Sequence, residues 1–497
     1  MSMNIRRLGA MTGLAAMIAG CGGGDSSSAG GTGNVPVVTT PAPTPTPTPV
    51  AVAGCSLRER QDWAAAQLRE WYLFPETLPA SLDPGAYSTV DDYIDAMTAT
   101  ARSQSRDRYF TYLTSIAEEN AYYESGSSAG LGVRLGTDST QRRLFVIEAF
   151  ENGPALAAGI DRGTEILAIG TSSSNLRTVG DIAAASGLSG VSDALGPDTV
   201  GTTRFLRIAD AGGTRTVSVA KSDFALTPVS SRYGTQVIND GGRRVGYLNL
   251  RTFISTADPA LRAAFATFKA QGISDFIVDF RYNGGGLIQI AELMSDLLGG
   301  NRSTADVLSY TTFRPEKSEF NETRYFMPQP QSVVPNRIAF IGTGGTASAS
   351  ELVINSFIPY LHGRAALIGT NTYGKPVGQI GLDKAACDDR LRVVALATQN
   401  SARQGAYYTG LAGTVEASCR ADDDISYPMG NPQEASTRAA LDFLAGRSCT
   451  PISASVSGQA QGGRNAAQSA NAGLGDERTL LIPTRRAPAQ RDVPGLF

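Results

Sequence analysis

One histidine, His362, stands among 497 residues. That scarcity removes clustered-imidazole metal sites. It also weakens any histidine-based serine hydrolase, because a serine hydroxyl needs a neighbouring base to take its proton. His362 sits in Leu361-His362-Gly363-Arg364, a turn after a helix, where a solvated or helix-ending ring is expected. The 5 cysteines contain no Cys-x-x-Cys spacing, which argues against zinc. No block of lysine and arginine offsets the formal net charge of -3, so a basic field for nucleic acid is absent. Neither a metal nor a cofactor is expected. What is present, 42% hydrophobic and 18% charged residues, describes a soluble globular chain long enough for roughly two to four domains.

The amino-terminal stretch has Arg6 and Arg7, an apolar run over 8–18, and then Ile18-Ala19-Gly20-Cys21. This is a secretory signal (1–21) too short to span a bilayer. Small residues directly before a cysteine resemble the bacterial lipoprotein box, which implies a lipidated Cys21. Gly22 in place of an acidic residue implies, by the same resemblance, the outer membrane facing the periplasm. Residues 22–54, with alternating Pro and Thr over 41–49, cannot pack a core and read as an extended tether. With Cys21 committed to lipid, Cys55, Cys387, Cys419 and Cys449 remain, an even number for an oxidising compartment. Two disulfides are expected. Three pairings are possible, and Cys387 with Cys419 and Cys55 with Cys449 is the expected one, tying the start of the folded region to its end.

Over 55–121 the periodicity is helical: Ala64, Leu68 and Trp71 recur on one face, and Ser88-Thr89-Val90-Asp91 reads as a capping box before Val90, Ile94 and Met97. A small helical domain is expected there. Over 122–222, short apolar runs at 144–149, 165–169, 203–208 and 216–220 alternate with glycine turns, as in a small strand-rich barrel. Gly130-Leu131-Gly132-Val133, then Asn152-Gly153-Pro154, then Gly163-Thr164-Glu165-Ile166 resemble a PDZ domain. The resemblance implies that 130–133 receives a peptide end and that a sheet edge accepts the peptide as a strand. Two departures stand out: Thr164 replaces the usual aspartate, and 171–199 looks longer and looser than a compact PDZ domain needs.

Over 223–447, strands at 244–250, 274–280, 337–341 and 365–369 alternate with helices at 259–270, 287–298 and 349–361, an α/β core. After 448 the composition falls to Ser, Ala, Gly, Gln and Arg, and a mostly disordered tail to Phe497 is expected. The chemistry-bearing residues lie in the α/β part. Gly345-Thr346-Ala347-Ser348-Ala349-Ser350-Glu351 follows a strand and opens a helix, where unpaired N–H groups favour developing negative charge. Either serine could equally serve as an N-cap. Phe280-Arg281-Tyr282-Asn283-Gly284-Gly285-Gly286 ends a buried strand in three glycines, which let backbone approach a substrate carbonyl. Lys375, in Tyr373-Gly374-Lys375-Pro376-Val377-Gly378-Gln379, lies 27 residues beyond Ser348. A lysine is a base only when burial or nearby dipoles leave it neutral.

Together, in this order, these motifs resemble the carboxy-terminal processing, or tail-specific, serine proteases of family S41, over about residues 55–447. The resemblance implies a multidomain chain: a helical amino-terminal domain, a PDZ-like domain and a crotonase-like, spiral ββα protease core. It implies Ser348 as nucleophile, Lys375 as base and Gln379 as the residue orienting it. Backbone N–H groups of Ala349 and of Gly285 or Gly286 form the expected oxyanion hole. The interval from Ser348 to Lys375 is slightly longer than in many members, so Ser350 is the reserve nucleophile. The expected partners are protein or peptide substrates and a membrane, through the lipid. A second reading is a catalytically silent, lipid-anchored peptide-binding scaffold, which predicts saturable binding without cleavage. A crotonase-type acyl-CoA enzyme shares the core but leaves the export signal unexplained.

Overall fold

Strands buried on both faces need continuous apolar runs, and Phe276-Ile277-Val278 and Ile338-Ala339-Phe340-Ile341 supply them, each at most 1% exposed. In the computed structural model, which describes residues 52–453, 478–483 and 486–497, they sit at the centre of a six-stranded sheet. Its order is Thr235–Asp240, Arg243–Asn249, Asp275–Asp279, Arg337–Gly342, Ala365–Gly369 and Ser418–Arg420. The first pair is antiparallel and every later neighbour is parallel. Alternate residues feed two cores. Helices Ala257–Ala270, Ile288–Leu298 and Ala349–Leu361 cover one face through Phe265, Phe268, Met294 and Phe357. Helix Ala435–Leu444 covers the other, packing Leu441 and Phe443 against Ile277, Ala339 and Ile368. The expected strands and helices of this α/β core fall within about two residues of these bounds, the usual uncertainty of element ends.

A second sheet of antiparallel pairs joins Tyr112–Ser115, Val307–Phe313, Glu322–Tyr325, Val377–Lys384 and Asp389–Gln399. The amino-terminal helices rest on it rather than closing a core of their own. Leu57–Trp71, opened by a capping box of Ser56 and Glu59, and Val90–Met97, capped by Thr89, bury Ala64, Leu68, Ile94 and Met97 with Val377, Leu391, Val393 and Val394. Helices this short expose too much apolar surface to stand alone.

That packing also decides the disulfides. The pairs are Cys55–Cys387 and Cys419–Cys449, with Cα separations of 5.5 and 5.4 Å, and the expected pairing is thereby corrected. Arg60 reaches Asp389 at 2.6 Å, so Cys55, just ahead of this helix, meets the turn between Val377–Lys384 and Asp389–Gln399. Cys449 follows helix Ala435–Leu444 back beside Cys419, where the Arg420 N–H donates to Thr450 O at 2.7 Å. Because Cys55–Cys387 closes a loop with a sequence separation of 332, its loss should be the costlier, at the upper end of the ~2–5 kcal/mol typical of native disulfides. Denaturant midpoints of Cys55→Ser and Cys449→Ser variants check this order.

The β-rich part has its own core and a sheet ordered Arg478–Leu480, Val133–Asp138, Leu144–Ala149, Glu165–Gly170, Thr203–Asp210 and Gly213–Ala220. Helix Val179–Ala194 packs on it through Val179, Ile182 and Val191. This helix, kinked at Gly187, fills much of the stretch that the sequence left loose. The expectation of a disordered tail is also corrected for residues 478–483 and 486–497. Leu480, Leu481, Val493, Leu496 and Phe497 are buried in three separate cores. Cys21, the signal and residues 22–51 of the tether lie outside the described residues. No helix among the described residues is long and apolar enough to cross a membrane.

Candidate active site

Ser348 occupies the N-cap of helix Ala349–Leu361 with φ 55° and ψ -114°, a region that non-glycine residues visit only when the surroundings hold them there. What holds it is Glu351, one turn on. The Ser348 N–H donates to Glu351 Oε2 at 3.0 Å, and the Lys375 N–H donates to the same oxygen at 2.8 Å. The other oxygen accepts from the Gly374 N–H at 2.7 Å and the Thr372 hydroxyl at 2.6 Å. One buried carboxylate thus ties the serine loop to the lysine loop. Burial pushes the Glu351 carboxyl up, and these four donors oppose the shift. The two serines are placed differently. Ser350 is fully buried and its hydroxyl donates to Asn283 O at 3.0 Å, whereas Ser348 is partly exposed.

Lys375 lies on the connection from strand Ala365–Gly369 to strand Val377–Lys384, and its Nζ donates to Gln379 Oε1 at 2.7 Å. The Phe110 ring lies 5.1 Å from Nζ. Burial brings the ammonium down to about 8, although the Asp492, Asp107 and Glu351 carboxylates oppose it; the Arg392 guanidinium works with burial. Gln379 follows a register shift between Gly378 and Gln379 in its strand, the kind of bulge that re-aims a side chain. Its Nε2 donates to Phe110 O, and Arg108 grips Gly374 O at 2.8 Å. Phe110 and Arg108 come from the amino-terminal segment, so that segment forms a wall of the site. Sequence reading missed both, since a lone aromatic and a lone arginine carry no spacing signal.

The glycine turn lies against Ser348. Gly285 and Gly286 have φ of 118° and 134°, and a Cβ on Gly285 would fall 2.8 Å from the Ser348 Cβ. Of the three expected oxyanion donors, the Gly285 N–H is already given to Asn283 Oδ1 at 3.0 Å. His362 is solvent-exposed and pairs with Glu416 at 2.8 Å, outside this cluster.

Residues 244–402, which carry Ser348, Lys375, Gln379 and the glycine turn, match the model of peptidase family S41. The chain carries a peptidase family S41 domain. It is 28% identical over 276 residues to carboxyl-terminal-processing peptidase 3, chloroplastic, of Arabidopsis thaliana, covering 54% of this chain and 49% of that protein. It is 29% identical over 255 residues to the carboxyl-terminal-processing protease of Picosynechococcus sp., covering 50% of this chain and 55% of that protein. The chain thus spans about half the length of these relatives. A solved structure from Bacteroides fragilis NCTC 9343, described as an S41 protease, superposes with a TM-score of 0.59 at 23% identity, covering 77% of this chain and 97% of that one. The likeness extends the shared multidomain α/β fold beyond the S41 domain.

Outside the S41 match, residues 130–133, where a peptide end is expected, lie against the chain's own Phe497. The Val133 N–H donates to Phe497 O at 3.1 Å and the Phe497 N–H donates to Val133 O at 2.8 Å. Within the S41 domain, Glu351→Gln should test the carboxylate tie. An amide NH₂ would face N–H donors, and misplacing reactive groups by about an ångström costs about 10²-fold. The expected result is a fall of that size in kcat with KM little changed, measured by steady-state kinetics.

Proposed function

We propose that this chain is an exported serine endopeptidase that cleaves proteins or peptides through a Ser348–Lys375 dyad and an acyl-enzyme. Ser348 Oγ attacks the peptide carbonyl while Lys375 Nζ takes its proton and later passes it to the leaving amine; water then releases the acyl group. Gln379 Oε1 holds the lysine head. The oxyanion faces the N–H groups of Ala349 and Gly286, leaving out Gly285, whose N–H serves Asn283. The observation that carries this reading is the bridge made by Glu351, which binds the backbones of a strained serine and a desolvated lysine at once. Helix capping alone calls for no partner on the lysine loop.

Substrate chain ends would be captured by the PDZ-like β-rich part through Gly130, Leu131, Gly132 and Val133. Support comes from the edge of strand Val133–Asp138, whose N–H and C=O groups take up Arg478–Leu480, Gly495 and Phe497 and so accept a strand there. The lipid-anchored, periplasm-facing location rests on the Cys21 box, and two disulfides suit an oxidising compartment. Incubating the purified protein with a denatured protein and mapping products by mass spectrometry tests the proposal. The expected result is cleavage that the Ser348→Ala variant lacks; identical product maps from the two would overturn it.

A further inference from the structure

The edge of strand Val133–Asp138 carries two stretches of the same carboxy-terminal segment. Arg478–Leu480 pairs with Asp138, Thr137 and Gly136, and the Leu481 N–H donates to Leu135 O at 2.9 Å. The chain then leaves the edge and returns to it. The Leu135 N–H donates to Gly495 O at 2.9 Å, Leu496 bridges Arg134, and Phe497 closes on Val133. Between the two stretches, the excursion enters the catalytic cleft. Asp492 O accepts the Gly284 N–H at 2.8 Å, its carboxylate accepts the Tyr123 hydroxyl at 2.9 Å, and the Arg491 guanidinium stacks 3.6 Å over the Tyr112 ring. A cavity of about 80 Å³ remains between Lys375, Phe110 and Ala347 on one side and Arg491 and Asp492 on the other. That is about half the ~150 Å³ that admits one benzene, too little for a peptide.

The fit is close at both ends. A Cβ on Gly130 would lie 2.8 Å from the Phe497 carbonyl carbon, and one on Gly284 would lie 2.9 Å from Asp492 O. Neither glycine has a positive φ, so backbone conformation does not demand glycine there, and the close approach of the segment does. Phe497 joins Leu131, Val133, Val191 and Leu195 in one core, and Val493 and Leu496 join Phe150 and Phe224 in another.

We propose that residues 486–497 are an internal blocker of the peptidase site. They fill the sheet edge and the cleft that an incoming peptide must use, and they are displaced by chain ends of like chemistry: extended, with large apolar residues where Leu496 and Phe497 sit. This rests on the peptidase reading above. The placement has a chemical consequence too, because the Asp492 carboxylate is the foremost group favouring the charged form of Lys375, the form that cannot act as base.

The test introduces a site-specific protease sequence within residues 454–477, so that the segment folds in place and is then cut. Two readouts are taken before and after cutting and dilution: turnover of a denatured protein, and anisotropy of a fluorescein-labelled peptide of residues 486–497 in the Ser348→Ala background. The second needs no catalysis. Cutting should raise turnover at least tenfold and should open peptide binding absent from the uncut chain; unlabelled peptide should reverse the gain. A Leu496→Asp, Phe497→Asp double variant, checked for fold by its thermal melt, should act likewise without cutting and covers the case in which the cut segment stays bound. Equal peptide binding and equal turnover with the segment attached, cut and double-substituted would overturn the proposal. So would Ser348-dependent cleavage within 486–497, which would make the segment a substrate. Peptide binding that opens on release while no form cleaves any substrate would support the blocker and remove the peptidase reading.

Discussion

Ser348→Ala is expected to lower turnover of a denatured protein by at least about 10⁴-fold, the scale on which losing a serine nucleophile acts. Ser350→Ala should leave activity within about tenfold. The reason is placement: Ser348 projects from a strained N-cap beside Gly285, whereas the Ser350 hydroxyl is spent on Asn283 O inside the core. Deleting that hydroxyl removes one of two donors to a buried carbonyl, which keeps the Ala347 N–H at 3.0 Å, a stability loss of ~0.5–1.5 kcal/mol visible as a lowered melting temperature. Steady-state kinetics and melts of the two variants separate catalysis from folding. An inactive Ser350→Ala beside an active Ser348→Ala would exchange the two roles.

Lys375→Ala should cost about 10³-fold or more in kcat/KM, and Lys375→Arg should not rescue it, because a guanidinium does not deprotonate in a protein. The pH profile carries the sharper test. Burial brings Lys375 down to about 8, and the neutral amine is the form that accepts the serine proton. Activity should therefore rise with pH and level off near pH 8 to 9 while Asp492 is in place, and at lower pH once residues 486–497 are displaced, since Asp492 is the foremost group favouring the charged lysine. At pH 7 about one tenth of the molecules hold a neutral lysine. A profile that is flat from pH 5 to 7, measured as kcat/KM, would exclude Lys375 as the base. His362, exposed and paired with Glu416, lies outside this site.

How far the sequence reaches differs from residue to residue. The runs Phe276-Ile277-Val278 and Ile338-Ala339-Phe340-Ile341 point to buried parallel strands, because their short length and flanking turn residues fit a strand better than a buried helix. The Ser348, Lys375 and Gln379 motifs were legible through resemblance and spacing, and the structure brings their loops together through Glu351. Glu351 itself was legible only as a capping residue; its reach to Lys375 depends on a loop across the sheet. Arg108 and Phe110, from the amino-terminal segment, gave no signal at all.

The sequence by itself determined the strand and helix order of the α/β core, the glycine turn and the candidate motifs around Ser348 and Lys375, because these depend on residue type and short-range periodicity. Only the tertiary structure decided which cysteines pair, that the amino-terminal helices borrow their core from the hairpin strands, and where residues 486–497 go. Apart from Cys419–Cys449, 30 positions apart, each of those is a closure between segments hundreds of positions apart. Spacing along a chain says that Cys55 or Phe497 could meet many partners. The packing of helix Leu57–Trp71 on its sheet, and the edge that strand Val133–Asp138 presents to residues 495–497, select one.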